Sequence, residues 1–474
     1  MDNEDFRRWS KIAAEWGADY RASVRERPVR AQTAPGAIAA QIPSTPPEDG
    51  APMEEIFRDF EQIVLPGMTH WQHPRFFAYF PANAAPVSTV AEYLVSAMAA
   101  QCMLWQTAPA ATEIETRMLD WLRQAVGLPE GFEGVIQDSA SSATLAAVLT
   151  MRERALNWHG NAEGLANLPP VRIYCSDQVH SSIDRAVWVA GIGSANLVRI
   201  PVTGHLRAMD VKDLEAAITG DVRDGYVPAG IIASVGGTSV GGTDEVAAVA
   251  EVAQRHRLYL HVDAAWAGSA MICPEFRHYW AGVEQADSVV FNPHKWLGAQ
   301  FDCSAHFVRA PEDLVRTLAI QPEYLATHGR DGIINYSEWS IPLGRRFRAL
   351  KIWFLLRAHG LEGLRAMIRD HVAWSRELAK KLEAHPQFEI VTQPMLSLFS
   401  FRHVPQGIVD PDRHNLELVQ KINDDGRIYL TQTRVDGRVA IRFQVGQFET
   451  TRDDVMMAYE VIKECAAGLG MVAA

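Results

Sequence analysis

The stretch ADSVVFNPHKW, from Ala286 to Trp296, decides the fold of this chain. Its apolar part, Ser288 to Phe291, is typical of a buried strand. A polar turn follows at once and places Lys295 between a histidine and a tryptophan. A lysine held against aromatic walls can lose part of its charge, and a neutral amine is a nucleophile. The alternative is an ordinary strand-end lysine whose stem packs and whose head reaches water.

The composition limits the class of protein. The chain has 474 residues, of which 48% are hydrophobic and 22% charged, with a formal net charge of −12. This is ordinary globular composition without a basic run, which argues against a nucleic-acid partner. The five scattered cysteines form no CxxC pair, so we expect neither a disulfide framework nor a metal site. The acidic, amphipathic start and the lack of a long apolar stretch predict a soluble cytoplasmic protein with no membrane partner.

Strand and helix patterns alternate from about residue 87. The predicted strands cover residues 134–136, 172–175, 196–200, 229–234, 258–262 and 288–291. The predicted helices cover residues 87–98, 111–126, 142–157, 182–190, 211–218 and 244–255. This alternation predicts an α/β fold whose mainly parallel sheet is covered by helices on both faces. Such sheets bind ligands at the carboxyl ends of their strands.

The flanking regions have a different character. Residues 1–85 combine a helical pattern with many prolines and a dense aromatic stretch, and we predict an arm that lies over another surface. Residues 86–360 form the predicted large α/β domain. Residues 361–474, with strand patterns at 396–401 and 439–444, form a predicted small α+β domain.

Polar residues follow several predicted strands. Asp263 comes directly after the strand at 258–262, where a buried carboxylate is costly unless a cation meets it. It could instead cap a helix. Ser139 to Ser142 precede a helix and could bind a phosphate through backbone N–H and hydroxyl groups, although such a pattern is also a plain cap.

Two further turns lie at strand ends. The glycine- and threonine-rich turn from Gly236 to Thr243 allows the backbone to approach a ligand closely, or forms a mobile loop. His180 follows the strand at 172–175 and is a lone histidine that could be structural. An anion site, a buried carboxylate, a stacking histidine and a nucleophilic lysine at one sheet edge all suit a single ligand, pyridoxal 5'-phosphate (PLP).

At this point the motifs resemble a known family, the PLP-dependent group II decarboxylases of fold type I. Within them the chain is similar to the aromatic-L-amino-acid decarboxylases, which act on Dopa, tyrosine or tryptophan. The motifs are NPHKW at 292–296, HVDAAWAGSA at 261–270 and CPEFRH at 273–278, extended by SDQVHSS, FDCSAHFV and IPLGRRFRALK. The resemblance covers nearly the whole chain. It implies decarboxylation to an amine and CO2 through a Lys295 aldimine and a quinonoid intermediate.

The resemblance also implies roles for single residues. Lys295 is expected to bind the cofactor covalently, Asp263 to pair with its ring nitrogen and His180 to stack on its ring. The remaining cofactor-binding positions are expected at Ser139, Ala140, Ser141 and Asn292 for the phosphate, Thr238 and Ala265 beside the ring, and His294 near the phosphate or the lysine. The substrate pocket is expected to include Trp71, Tyr79, Phe80, Pro81, Ala82, Met103 and Gly344. Family members are homodimers in which the N-terminal arm clasps the partner and the active site lies at the subunit interface.

The segment from Pro322 to Trp339 contains two glycines and predicts a mobile lid. Tyr336 within it matches the proposed proton donor of the family, although it could merely pack. Relatives that convert amino acids oxidatively to aldehydes typically have phenylalanine there, or asparagine for the stacking histidine. Because the chain has both Tyr336 and His180, we expect an amine product.

Departures from the family pattern leave the substrate open. Ala82, Gln101 and Met103 differ from some Dopa-active members, and Gly344 matches members that accept indole side chains. Tryptophan, phenylalanine, tyrosine and Dopa are all candidates. The competing hypotheses are an oxygen-consuming aldehyde synthase and a binding protein that has lost the chemistry.

Overall fold

The computed structural model describes residues 1–320 and 333–469. Its α-helices are α1 (Asn3–Ser23), α2 (Met53–Asp59), α3 (Pro86–Met98), α4 (Pro109–Val126), α5 (Ala140–Ala155), α6 (His159–Glu163), α7 (Ser182–Val189), α8 (Val211–Arg223), α9 (Val246–His256), α10 (Pro311–Leu318), α11 (Ala349–Glu383), α12 (Pro411–Asp425) and α13 (Arg452–Ala467). Its strands are β1 (Glu133–Gln137), β2 (Val171–Ser176), β3 (Leu197–Ile200), β4 (Val202–Thr203), β5 (Ala208–Met209), β6 (Val227–Ser234), β7 (Tyr259–Asp263), β8 (Ser288–Phe291), β9 (Ser304–Val308), β10 (Phe388–Met395), β11 (Leu398–His403), β12 (Thr431–Val435) and β13 (Arg438–Gln444). Short 3-10 turns lie between many of them.

The chain forms two compact units, Met1–Pro81 together with Ala373–Ala474, and Ala82–Val372. The large domain predicted at 86–360 falls within the second unit, whereas the N-terminal residues group with the C-terminal ones. The division into three segments stays a prediction. Helix α11 runs through residue 372, and its helical geometry is interrupted at Gly360, where φ is 62° and ψ is 170°.

The second unit contains a seven-stranded sheet with the order β1-β9-β8-β7-β6-β2-β3. Strand β9 is antiparallel to both of its neighbours, and the other strands run parallel to one another. Every residue of β7, β8 and β9 is buried. Continuous burial is expected of a sheet with both faces covered. The predicted α/β fold with a mainly parallel seven-stranded sheet is therefore confirmed.

Two glycines show that helices cover both faces of this sheet. A Cβ atom on Gly134 would meet Leu119 of α4, and a Cβ atom on Gly230 would meet Met151 of α5. The strand register places these glycines on opposite faces. Helices α4 and α5 therefore pack against opposite faces, and α5 leads directly away from the carboxyl end of β1.

The first unit contains a four-stranded antiparallel sheet with the order β10-β11-β13-β12, packed with α12 and α13. Phe77, from the aromatic N-terminal stretch, belongs to this core and stacks on Phe443 at a ring-centroid distance of 4.4 Å. Its N–H and C=O groups bond to Tyr429 and Gln444. The N-terminal segment thus lies over the small α+β sheet, as an arm would.

The described cysteines are all free and buried. In the part of the chain that the structure describes, no helix has the length and apolar character that a bilayer crossing requires.

Candidate active site

Five turns meet at the carboxyl edge of the parallel strands. Each follows one strand: Ser139 to Ser141 after β1, His180 after β2, Thr238 after β6, Asp263 at the end of β7 and Lys295 after β8. The strands themselves are buried, but the turns are not: Lys295 and Ala265 are partly accessible, and Thr238 and His180 are exposed. The accessible residues of an otherwise buried edge mark a ligand site.

The N-terminus of α5 forms the predicted phosphate cradle. Ser139 is the N-cap, and its Oγ accepts the N–H of Ser142 at 3.2 Å. Ser139 Oγ also donates to Asp138 Oδ1 at 2.9 Å. The N–H groups of Ala140 and Ser141 lie in the first turn, where a helix offers donors and a positive dipole end to an anion. The cap interpretation is therefore confirmed, and the phosphate-binding role stays a prediction.

The glycine-rich turn after β6 is ordered by its own backbone. Gly237 N donates to Gly242 O at 2.6 Å, and Gly241 N donates to Gly237 O at 2.8 Å. A Cβ atom on Gly236, whose φ is +79°, would lie 2.7 Å from Ala267, so this position requires glycine. These bonds argue against the mobile-loop alternative, and the turn places Thr238 at the carboxyl edge of the sheet.

Asp263 is a buried carboxylate at the centre of the edge. It is 6% exposed, and its Oδ1 accepts the N–H of Ala265 at 3.0 Å. Burial raises the pKa of Asp263, and the charges of Lys295 and His180 oppose this rise. Asp263 ends β7, which neighbours β8, the strand that leads to Lys295; β2, which leads to His180, lies two strands away in the same sheet. The carboxylate is suited to a further cation, such as a protonated ring nitrogen.

His180 presents an accessible ring. Its Nδ1 accepts the N–H of Ser182 at 3.1 Å and lies 2.8 Å from the Ser182 hydroxyl. Although the ring is accessible to solvent, enclosure by its surroundings lowers the pKa of His180, and the charge of Asp263 opposes that effect. A neutral imidazole fixed through Nδ1 offers its face as a stacking platform.

The backbone of Lys295 is fixed on several sides. Its N–H donates to Asn292 O at 2.9 Å, and its C=O accepts the side-chain amide of Asn83 at 2.5 Å. Asn292 Oδ1 accepts the Ser304 hydroxyl at 2.5 Å, so the amide nitrogen is its remaining donor. Trp296 is fully buried and donates from Nε1 to His371. These bonds leave the Lys295 side chain as the accessible part of the turn.

His294 is neutral, and a hydrogen bond fixes its ring within this turn. Its Nδ1 accepts the N–H of Cys303 at 2.9 Å. Burial, together with the charge of Lys295, lowers the pKa of His294 to about 3. His294 therefore shapes the turn and carries no charge at neutral pH.

The predicted substrate residues fall into both units of the chain. Trp71, Tyr79, Phe80 and Pro81 belong to the first unit, and Ala82, Met103 and Gly344 to the second. Trp71 and Tyr79 are accessible and stack with centroids 5.9 Å apart. Gly344 is exposed, and a Cβ atom there would meet Gln101 Nε2 at 3.2 Å. Their shared role in substrate binding stays a prediction.

Tyr336 lies against α4. It is 2% exposed, and its hydroxyl lies 2.9 Å from that of Thr116. The guanidinium group of Arg345 lies 5.0 Å from its ring. Burial raises the pKa of Tyr336, so the hydroxyl keeps its proton. Its role as a proton donor stays a prediction, and residues 322–332 of the predicted lid lie outside the described residues.

The sequence reasoning missed Asn83 and Ser304. Neither residue has a local pattern that connects it with Lys295; Asn83 is 212 residues away from Lys295 in sequence, and Ser304 is 12 residues away from its partner Asn292. Asn83 comes shortly after the aromatic residues 71–80, and its burial is visible only in the structure, so no sequence signal could have found it.

The residues present fit PLP. Buried Asp263 requires a cation, the N-terminus of α5 suits a phosphate, the His180 ring is accessible, and Lys295 supplies a primary amine. This combination of fold and site defines the class of the protein, an α/β enzyme of fold type I that uses PLP.

Comparison with known proteins gives the family. A model of the pyridoxal-dependent decarboxylase conserved domain matches residues 35–404. The aromatic-L-amino-acid decarboxylase of Rattus norvegicus is 38% identical over 99% of this chain and 99% of its own length. The phenylacetaldehyde synthase of Arabidopsis thaliana is 35% identical over 99% of this chain and 97% of its own length. A solved structure of Oryza sativa TDC with PLP and tryptamine has a TM-score of 0.95, with 35% identity over 99% of both chains.

The chain belongs to the pyridoxal-dependent decarboxylase family and is a carboxy-lyase. The predictions of the family, the fold type and the PLP cofactor are confirmed. The family assignment does not support the hypothesis of a binding protein that has lost the chemistry.

Proposed function

We propose that the enzyme decarboxylates aromatic L-amino acids to the corresponding arylalkylamine and CO2. The observation that carries the proposal is the placement of buried Asp263, accessible His180 and the Lys295 turn at the carboxyl ends of parallel strands in one sheet. Full-length likeness to decarboxylases named for aromatic amino acids supports the substrate class. Tryptophan, phenylalanine, tyrosine and Dopa are the candidate substrates.

Each residue of the site has a separate role in holding the cofactor or the proton. When bound, the cofactor supplies an aldehyde for the substrate amine and a ring that accepts electrons as the carboxylate leaves. Asp263 holds a proton on the ring nitrogen, because a carboxylate buried there is stabilised by that cation. The first-turn N–H groups of α5 would hold the phosphate, and the neutral His180 ring would offer its face to the cofactor ring. Lys295 Nζ would hold the cofactor, and its amine could carry a proton when it is not bound to the cofactor.

We propose Tyr336 as the donor that returns a proton to the substrate Cα. The raised pKa supports this role, since a donor must keep its proton until it is needed. In the structure its hydroxyl is bonded to Thr116, so donation requires that this bond breaks.

An aldehyde synthase on the same scaffold is the second candidate. The full-length likeness to phenylacetaldehyde synthase favours considering it. Such a reaction would consume O2 and release ammonia and peroxide together with CO2. The presence of Tyr336 and His180 argues for the amine.

We further propose a cytoplasmic homodimer with its active site at the subunit interface. One face of α3 supports an interface, since Val90, Tyr93, Leu94 and Met98 are between 40% and 57% exposed. Exposed apolar patches of this kind mark association surfaces. Helix α1 has no buried residue, which suits an arm that a second copy covers. The five free cysteines suit a reducing compartment.

A product assay tests the proposal. The purified PLP-loaded enzyme is incubated with each of the four candidate amino acids, and amine, aldehyde and peroxide are quantified by mass spectrometry and a coupled assay. Amine without peroxide is the expected result, and the yields rank the substrates. Aldehyde with stoichiometric peroxide would replace the first candidate with the second. Lys295→Ala is the control, and normal turnover by this variant would overturn the assignment of the site.

A further inference from the structure

Lys351 of α11 is a buried lysine outside the cofactor site. Its side chain is 1% exposed. Its Nζ lies 2.9 Å from Glu92 Oε2 of α3. The same ammonium donates to Gln300 O at 3.1 Å, Gln300 Oε1 at 2.9 Å and Asp302 O at 3.1 Å. A buried ammonium group is tolerated when it is paired and hydrogen-bonded in this way.

The segment that Lys351 holds is the return segment, residues 298–303, which leads from the Lys295 turn to β9. This segment pairs with the residue before Lys295. Cys303 N donates to His294 Nδ1 at 2.9 Å, and His294 N donates to Cys303 O at 3.2 Å. The position of the return segment therefore sets the position of His294.

The return segment also forms hydrogen bonds with residues on the other side of the Lys295 turn, among them Asn83, which bonds to the Lys295 backbone. Phe301 N donates to Asn83 O at 3.2 Å, and Gln300 N donates to Ser88 Oγ at 2.6 Å. Asn83 in turn donates its side-chain amide to Lys295 O. Two routes, through His294 and through Asn83, thus connect the return segment with the Lys295 backbone.

The carboxylates near Lys351 also form ion pairs with arginine side chains. Glu92 also pairs with Arg346, and the carboxylate of Asp302 pairs with Arg348 at 2.8 Å. The backbone carbonyl oxygens of the return segment are therefore left to Lys351. A lysine that can reach several carbonyl oxygens at once suits this task better than a side chain with a single donor.

We infer that Lys351 is a positioning residue for Lys295, acting through the return segment, His294 and Asn83. Its ammonium group holds the segment against α3 and α11, and the segment fixes the backbone from which Lys295 reaches the cofactor. Burial lowers the pKa of Lys351 to about 8, so the ammonium form predominates at neutral pH.

Three substitutions of Lys351 test the inference. Lys351→Met removes all donors, Lys351→Gln keeps a neutral donor on a shorter side chain, and Lys351→Arg keeps the charge. The readouts are the visible circular dichroism of the bound cofactor, the Kd for PLP from titration of the apoprotein, kcat and KM. We expect the Met and Gln variants to raise the Kd about tenfold, as loss of charge-assisted hydrogen bonds implies. Their visible signal should weaken and kcat should fall more than KM changes.

Lys351→Arg should keep the Kd within about threefold of the wild-type value and restore the visible signal. Arg154→Met is the matched control, because Arg154 forms ion pairs with Asp287 and Asp313, and Asp287 directly precedes β8 at the opposite edge of the sheet. Arg154→Met should lower the Tm without changing the visible circular dichroism of the bound cofactor. Wild-type signal and Kd in a folded Met variant would overturn the inference. If that variant does not fold, the same result in the Gln variant would overturn it, as would an equal loss of signal in Arg154→Met.

Discussion

The side-chain amide of Asn83 donates a hydrogen bond to the backbone carbonyl oxygen of Lys295, 212 residues further along the chain, at 2.5 Å. Asn83 is fully buried, and its own N–H donates to the carbonyl oxygen of His294 at 2.8 Å. One side chain and one peptide group thus clamp two consecutive residues of the catalytic turn.

Asn83→Ala is expected to lower kcat about tenfold, because the lysine turn loses a buried hydrogen bond and its orientation relaxes. Steady-state kinetics and the visible spectrum of the bound cofactor measure the effect. Thr89→Ala is the control, since the Thr89 hydroxyl bonds only weakly to Ala85 O, at 3.4 Å, on the same helix. Wild-type kcat in Asn83→Ala would show that the clamp is dispensable.

Asp263→Asn should have opposite effects on stability with and without PLP. Burial raises the pKa of Asp263 above its usual 3.8, so the unfolded chain releases the proton first as the pH rises. The carboxylate therefore destabilises the cofactor-free fold progressively as the pH rises above 3.8, and the destabilisation is complete once the pH exceeds the folded-state pKa. At pH 7 the cofactor-free variant should melt above the cofactor-free wild type, and the PLP-loaded variant below the loaded wild type. Thermal melts of all four forms measure this. If the variant and the wild type have the same order of Tm with and without PLP, the pairing of Asp263 with the ring nitrogen is contradicted.

His306 should contribute to acid sensitivity. Burial within β9 lowers the pKa of His306 to about 4, from 6.5 in the unfolded chain. The unfolded chain therefore takes up the proton first as the pH falls, and stability is lost between about pH 6.5 and pH 4. His306→Leu should remove about 2 kcal/mol of the stability lost between pH 7 and pH 5. Urea unfolding at the two pH values measures it, and an equal loss of stability in the wild type and in His306→Leu would contradict the prediction.

Tyr336→Phe should redirect the reaction if Tyr336 is the proton donor. The variant should then lose amine formation by about a hundredfold or form aldehyde and peroxide. Tyr324→Phe is the matched substitution, because Tyr324 is in the same predicted lid and lies outside the described residues. Amine formation unaffected by Tyr336→Phe but lost in Tyr324→Phe would transfer the role to Tyr324 and leave Tyr336 as a packing residue bonded to Thr116.

Gly344→Ser should change substrate preference without unfolding the protein. A Cβ atom there would meet only the flexible end of Gln101 within 4 Å among the described residues. If Gly344 leaves room for an indole ring, the serine should lower the ratio of tryptophan to tyrosine turnover about tenfold. Competition between the two amino acids, followed by mass spectrometry, gives the ratio. An unchanged ratio with an unchanged Tm would remove Gly344 from the substrate site.

Local patterns predicted the parallel strands well. The strand at 288–291 has the predicted bounds, and Asp263, expected just after a strand, is the last residue of β7. Both cases depend on short apolar runs that end in a polar turn, a signal contained within a few residues. Residues 346–358 also have a helical pattern, and the structure has a helix there that begins at Ala349; a break at Gly360 separates it from a second helix that continues to Glu383.

Contacts between distant segments were not predictable in this way. Strand β9 was missed because the buried His306 interrupts its apolar run. Asn83 and Lys351 were missed as parts of the lysine environment, since their partners lie far away in sequence and no local pattern records the pairing. The sequence predicted which residues meet the cofactor, and the structure adds residues that form hydrogen bonds with the Lys295 turn.

The antiparallel strand β9 has a consequence for biosynthesis. Strand β1, which leads to the N-terminus of α5, has β9 as its single sheet partner among the described strands, and β9 begins at Ser304. A growing chain on the ribosome therefore carries β1 without its sheet partner until more than half of the protein has been made. The N-terminus of α5 therefore reaches its native position only after the Lys295 turn has left the ribosome. We expect PLP to bind a complete site only late in translation or after release of the chain.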